Sequence, residues 1–448
     1  MLNLKLSQNR QHIKCNQKTV LFVSLEISPD ETTQFIQRNH HVSLVIDCSG
    51  SMDGKKIQDA KEAAINVVRQ LSPNDLVSIV TFETEVSVKL NPTPASDRNI
   101  ENIINSIDVG GATALHGGIL AGFQLLKQAS APNMINRLEV FTDGEPNVVP
   151  YDDIDFTQLV QQVRNNAMTL DVFGIGDDYN GPLLMKIAEI GGGKWAHVSD
   201  TEALTTIVGA QVTEMQNTVI SNPQLQLTLM SGAELASAAI TKPTLQEIQP
   251  ESRQTIGNTT SIGLKDIIKN ESQTIAMRIS VPAMEGNDIS FLTAVITEGN
   301  NEIANQTGII SCTDDKELYN LEVDPSPRVL LSSTEATVLL RKGIEGDQDA
   351  TELAKTILSN LDDPETTQLM DDDAHATVLN AKKISGDIQP GMSESEKKRV
   401  LHDTTVISET SKESDVTLTC PNCNSPVRPT SKICGQCGKP IKKTEGEL

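Results

Sequence analysis

The sequence predicts an α/β fold, a doubly wound and mostly parallel sheet, joined to an antiparallel β-sandwich, a small helical segment and a C-terminal zinc ribbon. Three observations carry that expectation. Between about residues 38 and 212, strand-like apolar runs alternate with amphipathic helical segments, the rhythm of a parallel sheet with helices on both faces. On either side of that stretch lie short period-two segments, the signature of half-buried strands. Four of the seven cysteines crowd into the last thirty residues in two close pairs.

Residues 1–36 hold two alternating runs, Leu2-Asn3-Leu4-Lys5-Leu6 and Val20 to Ile27. Two strands cannot form a stable domain, so they are expected to complete a sheet built later in the chain. Residues 38–212 carry the runs VSLVID, LVSIVTF, RLEVFTDG, TLDVFGIG and KWAHV. Between the first two, Ile57, Ala60, Ala64, Val67, Val68 and Leu71 share one helical face, and Pro73 with Asn74 ends the helix. Residues 222–325 return to alternating segments such as LQLTLM and TIAMRISV broken by Asn, Gly and Pro, expected as the sandwich. Helical patterns resume over 327–385. Residues 386–416, rich in Ser, Thr, Lys and Glu, read as a flexible linker, and 417–441 as the zinc ribbon.

A chain of 448 residues is long enough for two to four domains. Its formal charge of −23 argues against general nucleic-acid binding and against anionic membranes, both of which ask for a basic surface. No apolar run has the form of a signal peptide or reaches the roughly eighteen residues of a membrane span. With Cys15, Cys48 and Cys312 scattered and unmatched, the cysteine pattern fits a reducing, cytoplasmic setting.

The stretch DCSGSM, Asp47 to Met52, follows the run Val42 to Ile46 and places an aspartate and two serines at alternate positions where a strand ends. Ligands of doubly wound sheets collect at such ends. Asp and Ser there are also common helix caps, so the stretch alone is ambiguous. Two further elements resolve it: Thr113 in GGATAL, where glycines permit close backbone approach, and Asp143 in TDG at another strand end. Together Asp47, Ser49, Ser51, Thr113 and Asp143 form an all-oxygen set of the kind a hard divalent ion prefers. The pattern resembles the metal-ion-dependent adhesion site of the von Willebrand factor type A domain, over about residues 38–212. The resemblance implies that Ser49, Ser51 and Thr113 supply hydroxyl ligands to Mg2+ (or Mn2+ or Ca2+), while Asp47 and Asp143 act directly or through water. It also implies a Rossmann-like fold and a protein partner whose Asp or Glu carboxylate completes the coordination.

At the C-terminus, Cys420-Pro-Asn-Cys423 and Cys434-Gly-Gln-Cys437 have the spacing of two knuckles of a zinc ribbon, where four thiolates close a structural Zn2+ shell. Too few apolar residues surround them to fold without metal. The linker segment His402 to Ile407 resembles phosphothreonine peptides read by forkhead-associated domains, making Thr404 and Thr405 candidate phosphosites.

The leading expectation is a non-enzymatic, divalent-metal-dependent protein-binding scaffold or regulatory module working beside a kinase, a phosphatase or an AAA-type ATPase. One competitor is a subunit of a nucleic-acid-associated assembly that uses the ribbon. Another is a Mg-dependent phosphohydrolase, against which stand the missing GxxxxGK phosphate loop, the missing HExxH and the lack of a nucleophile and base pair.

Overall fold

The computed structural model describes residues 2–30, 38–131, 134–144, 156–176, 179–198, 201–361, 366, 369–389, 392–405, 418–419 and 426–427. Strands β1 (Leu2–Gln8), β2 (His12–Lys14) and β3 (Thr19–Pro29) precede β4 (His40–Asp47), the first strand of the α/β unit. That unit continues with β5 (Leu76–Phe82), β6 (Val86–Pro94), β7 (Ile135–Thr142), β8 (Met168–Ile175) and β9 (Gly192–Val198). Its helices are α1 (Lys55–Gln70), α2 (Ile100–Asn105), α3 (Leu115–Ala129), α4 (Phe156–Asn165), α5 (Gly181–Ile190) and α6 (Thr201–Gln216).

The sheet runs in the order β6-β5-β4-β7-β8-β9. Every pairing is parallel except that of β6, which joins β5 antiparallel at the edge. Sequence reading missed β6 because VSVKLNPTP is half-exposed and carries two prolines, which only an edge strand tolerates. Strands β4, β7 and β8 are buried along their whole length, as a sheet covered on both faces requires. One apolar core lies between the sheet and α3, α4 and α5, the other between the sheet and α1, α2 and α6. From β4 the chain moves to β5 on one side and later to β7 on the other, so strand order reverses at β4, the point at which open α/β sheets collect their ligands.

Most of the strands between the α/β unit and the later helices join two larger sheets. The strands of this stretch are β10 (Thr218–Ile220), β11 (Gln224–Leu229), β12 (Glu234–Lys242), β13 (Gln246–Glu247), β14 (Gln254–Ile256), β15 (Thr259–Gly263), β16 (Ile267–Ile268), β17 (Gln273–Val281), β18 (Ile289–Glu298) and β19 (Asn301–Thr313). One sheet has the order β1-β3-β17-β12-β13 and the other β14-β15-β11-β18-β19-β2, with β10 and β16 as a separate pair. The N-terminal β3 pairs antiparallel with β17, Leu25 opposite Ile275, so the chain's first strands share a sheet with strands that follow the α/β unit. Leu21, Leu25, Leu227, Met277 and Phe291 meet in one core between the two sheets.

Among the described residues, five helices follow: α7 (Lys316–Asn320), α8 (Ser326–Ile344), α9 (Gln348–Asn360), α10 (Asp372–Asp387) and α11 (Glu394–Asp403). The last corrects part of the linker expected over 386–416, of which 390–391 and 406–416 lie outside the described residues. Ser393 and Glu396 form a capping box that starts α11, and Val400 and Leu401 are buried in the core beside α5 and Trp195. Val400 and Leu401, with Ile388 and Met392 packed beside them, anchor the segment, too sparse a set to register against its polar composition. Buried Arg341 of α8 ties the units together, donating to Thr404 Oγ1 at 2.9 Å, Glu189 Oε1 at 2.8 Å and the Leu245 carbonyl at 3.0 Å.

Candidate metal centre

The β4 strand ends on Asp47 at the strand-order reversal, with the side chain fully buried. Asp47 Oδ1 accepts from the Ser49 backbone N–H at 2.8 Å, and Oδ2 accepts from Thr142 Oγ1 at 2.6 Å. Burial pushes its pKa up to about 6, while the bonds from Thr142 and Ser49 pull the other way and the nearby Asp143 adds to the rise. The residues beyond Asp47 form a short 3-10 turn, Gly50–Met52, and then α1. Neither Ser49 nor any other side chain caps that turn or α1, whose N-cap is Gly54, so the hydroxyls are not spent on helix capping.

They form a row instead. Ser49 Oγ lies 3.1 Å from Ser51 Oγ, and Ser51 Oγ donates to Asp143 Oδ1 at 2.8 Å. Asp143, just past β7, is buried, and its Oδ2 accepts from Lys56 Nζ. Thr113 is also buried and comes in from the loop before α3. Its place follows from Gly144: a Cβ there would lie 3.0 Å from Thr113 Oγ1 and 3.6 Å from Asp47 Oδ2, so both groups border the same small space. The structure therefore brings all five predicted residues together, four of them buried and Ser51 exposed on the open side.

Two loops hold the set in register. Gly50 N–H donates to the Gly111 carbonyl at 3.1 Å, and Gly110 N–H to the Cys48 carbonyl at 2.8 Å. Gly111 adopts φ +74°, a backbone conformation that favours glycine, and a Cβ there would also displace the Glu83 carboxylate and the Thr84 hydroxyl. Behind it, Gly122 lets α3 lie close to β4, since an added Cβ would meet Val45 Cγ2 at 2.7 Å.

Sequence reading missed Lys56, Thr142 and Gly144. Thr142 and Gly144 flank Asp143 in the TDG element, but their roles depend on the distance to β4. Lys56 carried a usable signal: a cation in the first turn of a helix opposes the helix dipole and asks for another reason to be there. His41 and His116, near the site in sequence, have no role in it. His41 lies 3.2 Å from Ser78 Oγ, its pKa pushed down to about 4 by burial, and His116 packs on Phe156.

The other predicted sites fare differently. Thr404 is completely buried, bonded to Arg341 and donating to the Leu401 carbonyl at 2.6 Å. A phosphosite in a free linker is thus corrected to a hydroxyl that closes α11. Thr405 is partly exposed and donates to the His402 carbonyl at 2.8 Å. Cys420, Cys423, Cys434 and Cys437 lie outside the described residues. The segments flanking the first pair, Leu418–Thr419 and Pro426–Val427, pair antiparallel.

Fold and site together define a doubly wound α/β domain with a carboxylate and hydroxyl cluster at its switch point. Residues 41–210 match the family model of the von Willebrand factor type A domain. The α/β unit of this chain is a domain of that family, a family of metal-dependent adhesion and protein-interaction modules. The fold extends beyond that unit: a von Willebrand factor type A protein from Catenulispora acidiphila superposes with a TM-score of 0.73, covering 90% of this chain and 96% of its own at 17% identity. The ArnB paralog VWA2 from Sulfolobus acidocaldarius gives 0.60, with 91% and 99% covered, also at 17% identity. Among curated relatives, the Escherichia coli protein YfbK is 26% identical over 214 residues, 47% of this chain and 37% of its own length. Inter alpha-trypsin inhibitor heavy chain 4 of Mus musculus is 30% identical over 162 residues, 34% of this chain and 17% of its own. The chain thus spans well under half the length of these two relatives. Among the described residues, no helix is long and apolar enough to cross a membrane.

Proposed function

We propose that the chain is a non-enzymatic, divalent-metal-dependent protein-binding scaffold or regulatory module that captures a carboxylate of its partner at the Asp47 site. The observation that carries this reading is the convergence of Asp47, Ser49, Ser51, Thr113 and Asp143 at the strand-order reversal, with the hydroxyls unspent on capping. The donor set fits a hard cation. It holds two carboxylates and three neutral hydroxyls, all oxygen donors. Mg2+ suits such a sparsely charged shell best, ahead of Mn2+ or Ca2+.

When bound, the dication supplies a Lewis-acidic point at which an anionic oxygen can be held. The chain's own residues do the rest. Asp47 and Asp143 provide the negative charge, Ser49, Ser51 and Thr113 the neutral oxygens, and Thr142 with the Ser49 amide fixes Asp47 in orientation. Exposure on the Ser51 side leaves the approach through which a partner's Asp or Glu would enter. The C-terminal cysteine pairs supply a structural Zn2+ ribbon in this reading, in a cytoplasmic protein serving a kinase, phosphatase or AAA-type ATPase. The test is capture of partners from lysate in Mg2+ and in EDTA, repeated with Thr113→Ala. Partners recovered only by the wild-type chain in Mg2+ would support the proposal. An identical set in every condition would overturn it.

A further inference from the structure

We propose that Lys56 couples metal binding to carboxylate binding, so that the site receives a dication and an acidic side chain together in preference to a dication alone. The inference rests on the metal-dependent reading above and adds a residue that the oxygen set does not include. Lys56 is the second residue of α1, a position where the helix's own field disfavours a cation. Its chain nevertheless passes across the end of β8, where a Cβ at Gly176 would meet Lys56 Cε at 2.9 Å, and its ammonium reaches Asp143 Oδ2. The Asp143 side chain is wholly buried and that of Lys56 is 26% exposed, so the ion pair is shielded on the carboxylate side and wet on the other.

Asp143 is therefore shared, with Oδ1 on the hydroxyl row through Ser51 and Oδ2 on Lys56. The charge count follows. Asp47 and Asp143 bring two negative charges and Lys56 one positive, leaving the cluster at minus one. A dication would turn this to plus one, and an incoming carboxylate would restore neutrality. With Lys56 removed, the two aspartates alone would balance the dication, and no net charge would draw the anion. Glu83, another carboxylate on the rim, is held on its own loop by the Thr84 N–H at 2.7 Å. Lys56 thus weakens the metal alone and strengthens the metal with its acidic partner, and by linkage each ligand favours the other.

The experiment is a Mn2+ titration of the full chain by calorimetry, in chloride and in acetate as the carboxylate probe, corrected for acetate's own affinity for Mn2+. Wild type, Lys56→Met and Lys56→Arg are compared. In chloride, Lys56→Met is expected to bind Mn2+ about tenfold tighter than wild type, because a like charge has left the neighbourhood of the ion. Acetate is expected to tighten Mn2+ binding severalfold in wild type and in Lys56→Arg, and to have no effect in Lys56→Met. Such opposite shifts in one variant do not follow from damage to the fold. Equal or weaker Mn2+ binding by Lys56→Met in chloride, or an acetate effect that survives in it, would overturn the inference. A failure of wild type and Lys56→Met alike to take up Mn2+ would instead overturn the metal-dependent reading itself.

Discussion

Asp47 is the residue on which stability and function pull in different directions. Its buried carboxylate has a pKa raised to about 6, chiefly by burial, so ionising it in the folded chain is unfavourable. Asp47→Asn keeps the shape and an acceptor oxygen for Thr142 or Ser49 while removing the charge. Thermal unfolding in EDTA at pH 7 is expected to show this variant at least as stable as wild type. A large fall in midpoint would mean that the charged form stabilises the fold. Gly111 is constrained by sterics instead. At φ +74° with Glu83 in the way, Gly111→Ala is expected to cost about 1–3 kcal/mol in chemical denaturation. The alternation of Asp47, Ser49 and Ser51 is legible in sequence because it is local. Thr113 and Asp143 become legible once the strand rhythm places them at the same end of the sheet. Lys56, Thr142 and Gly144 are not, because what they touch is decided by the spacing between β4, β7 and β8.

At the scale of elements, a strand buried on both faces shows itself in sequence and one lying at an edge does not. Central strands β4, β7 and β8 read as apolar runs, whereas β6 and α11 hide in polar composition. Strand β7 nevertheless carries Arg137 and Glu139 in its buried run, and Arg137 pairs with Asp171 of β8 at 3.2 Å and with Asp266 beyond the α/β unit at 3.5 Å. Burial, with Asp171 adding to it, pushes Glu139 up to about 8, while Arg137 opposes the shift. A carboxyl whose folded pKa exceeds its unfolded value near 4.3 holds its proton more tightly when folded. Its contribution to stability is therefore complete below the unfolded pKa and is lost progressively as pH rises toward about 8. Glu139→Gln is expected to flatten this part of the stability profile, measured by denaturation from pH 5 to 8, and an unchanged slope would show that Glu139 does not carry it.

At the scale of the whole molecule, Arg341 gathers α5 of the α/β unit, Leu245 of the two-sheet unit and the end of α11 onto one guanidinium. Removing one partner from a buried, hydrogen-bonded charge is costly, so Arg341→Met is expected to lower stability by about 2–4 kcal/mol and to release α11, read by amide hydrogen exchange at Val400 and Leu401. Protection there equal to wild type would show that packing alone holds the helix. The Asp47 site stands or falls on a different and more direct observation. That measurement is a calorimetric titration of the full chain with Mg2+, comparing wild type with Asp47→Asn. A single saturable site is expected in wild type and none in the variant, with both chains folded. Mg2+ binding that is absent from wild type, or that persists unchanged in Asp47→Asn, would contradict that expectation.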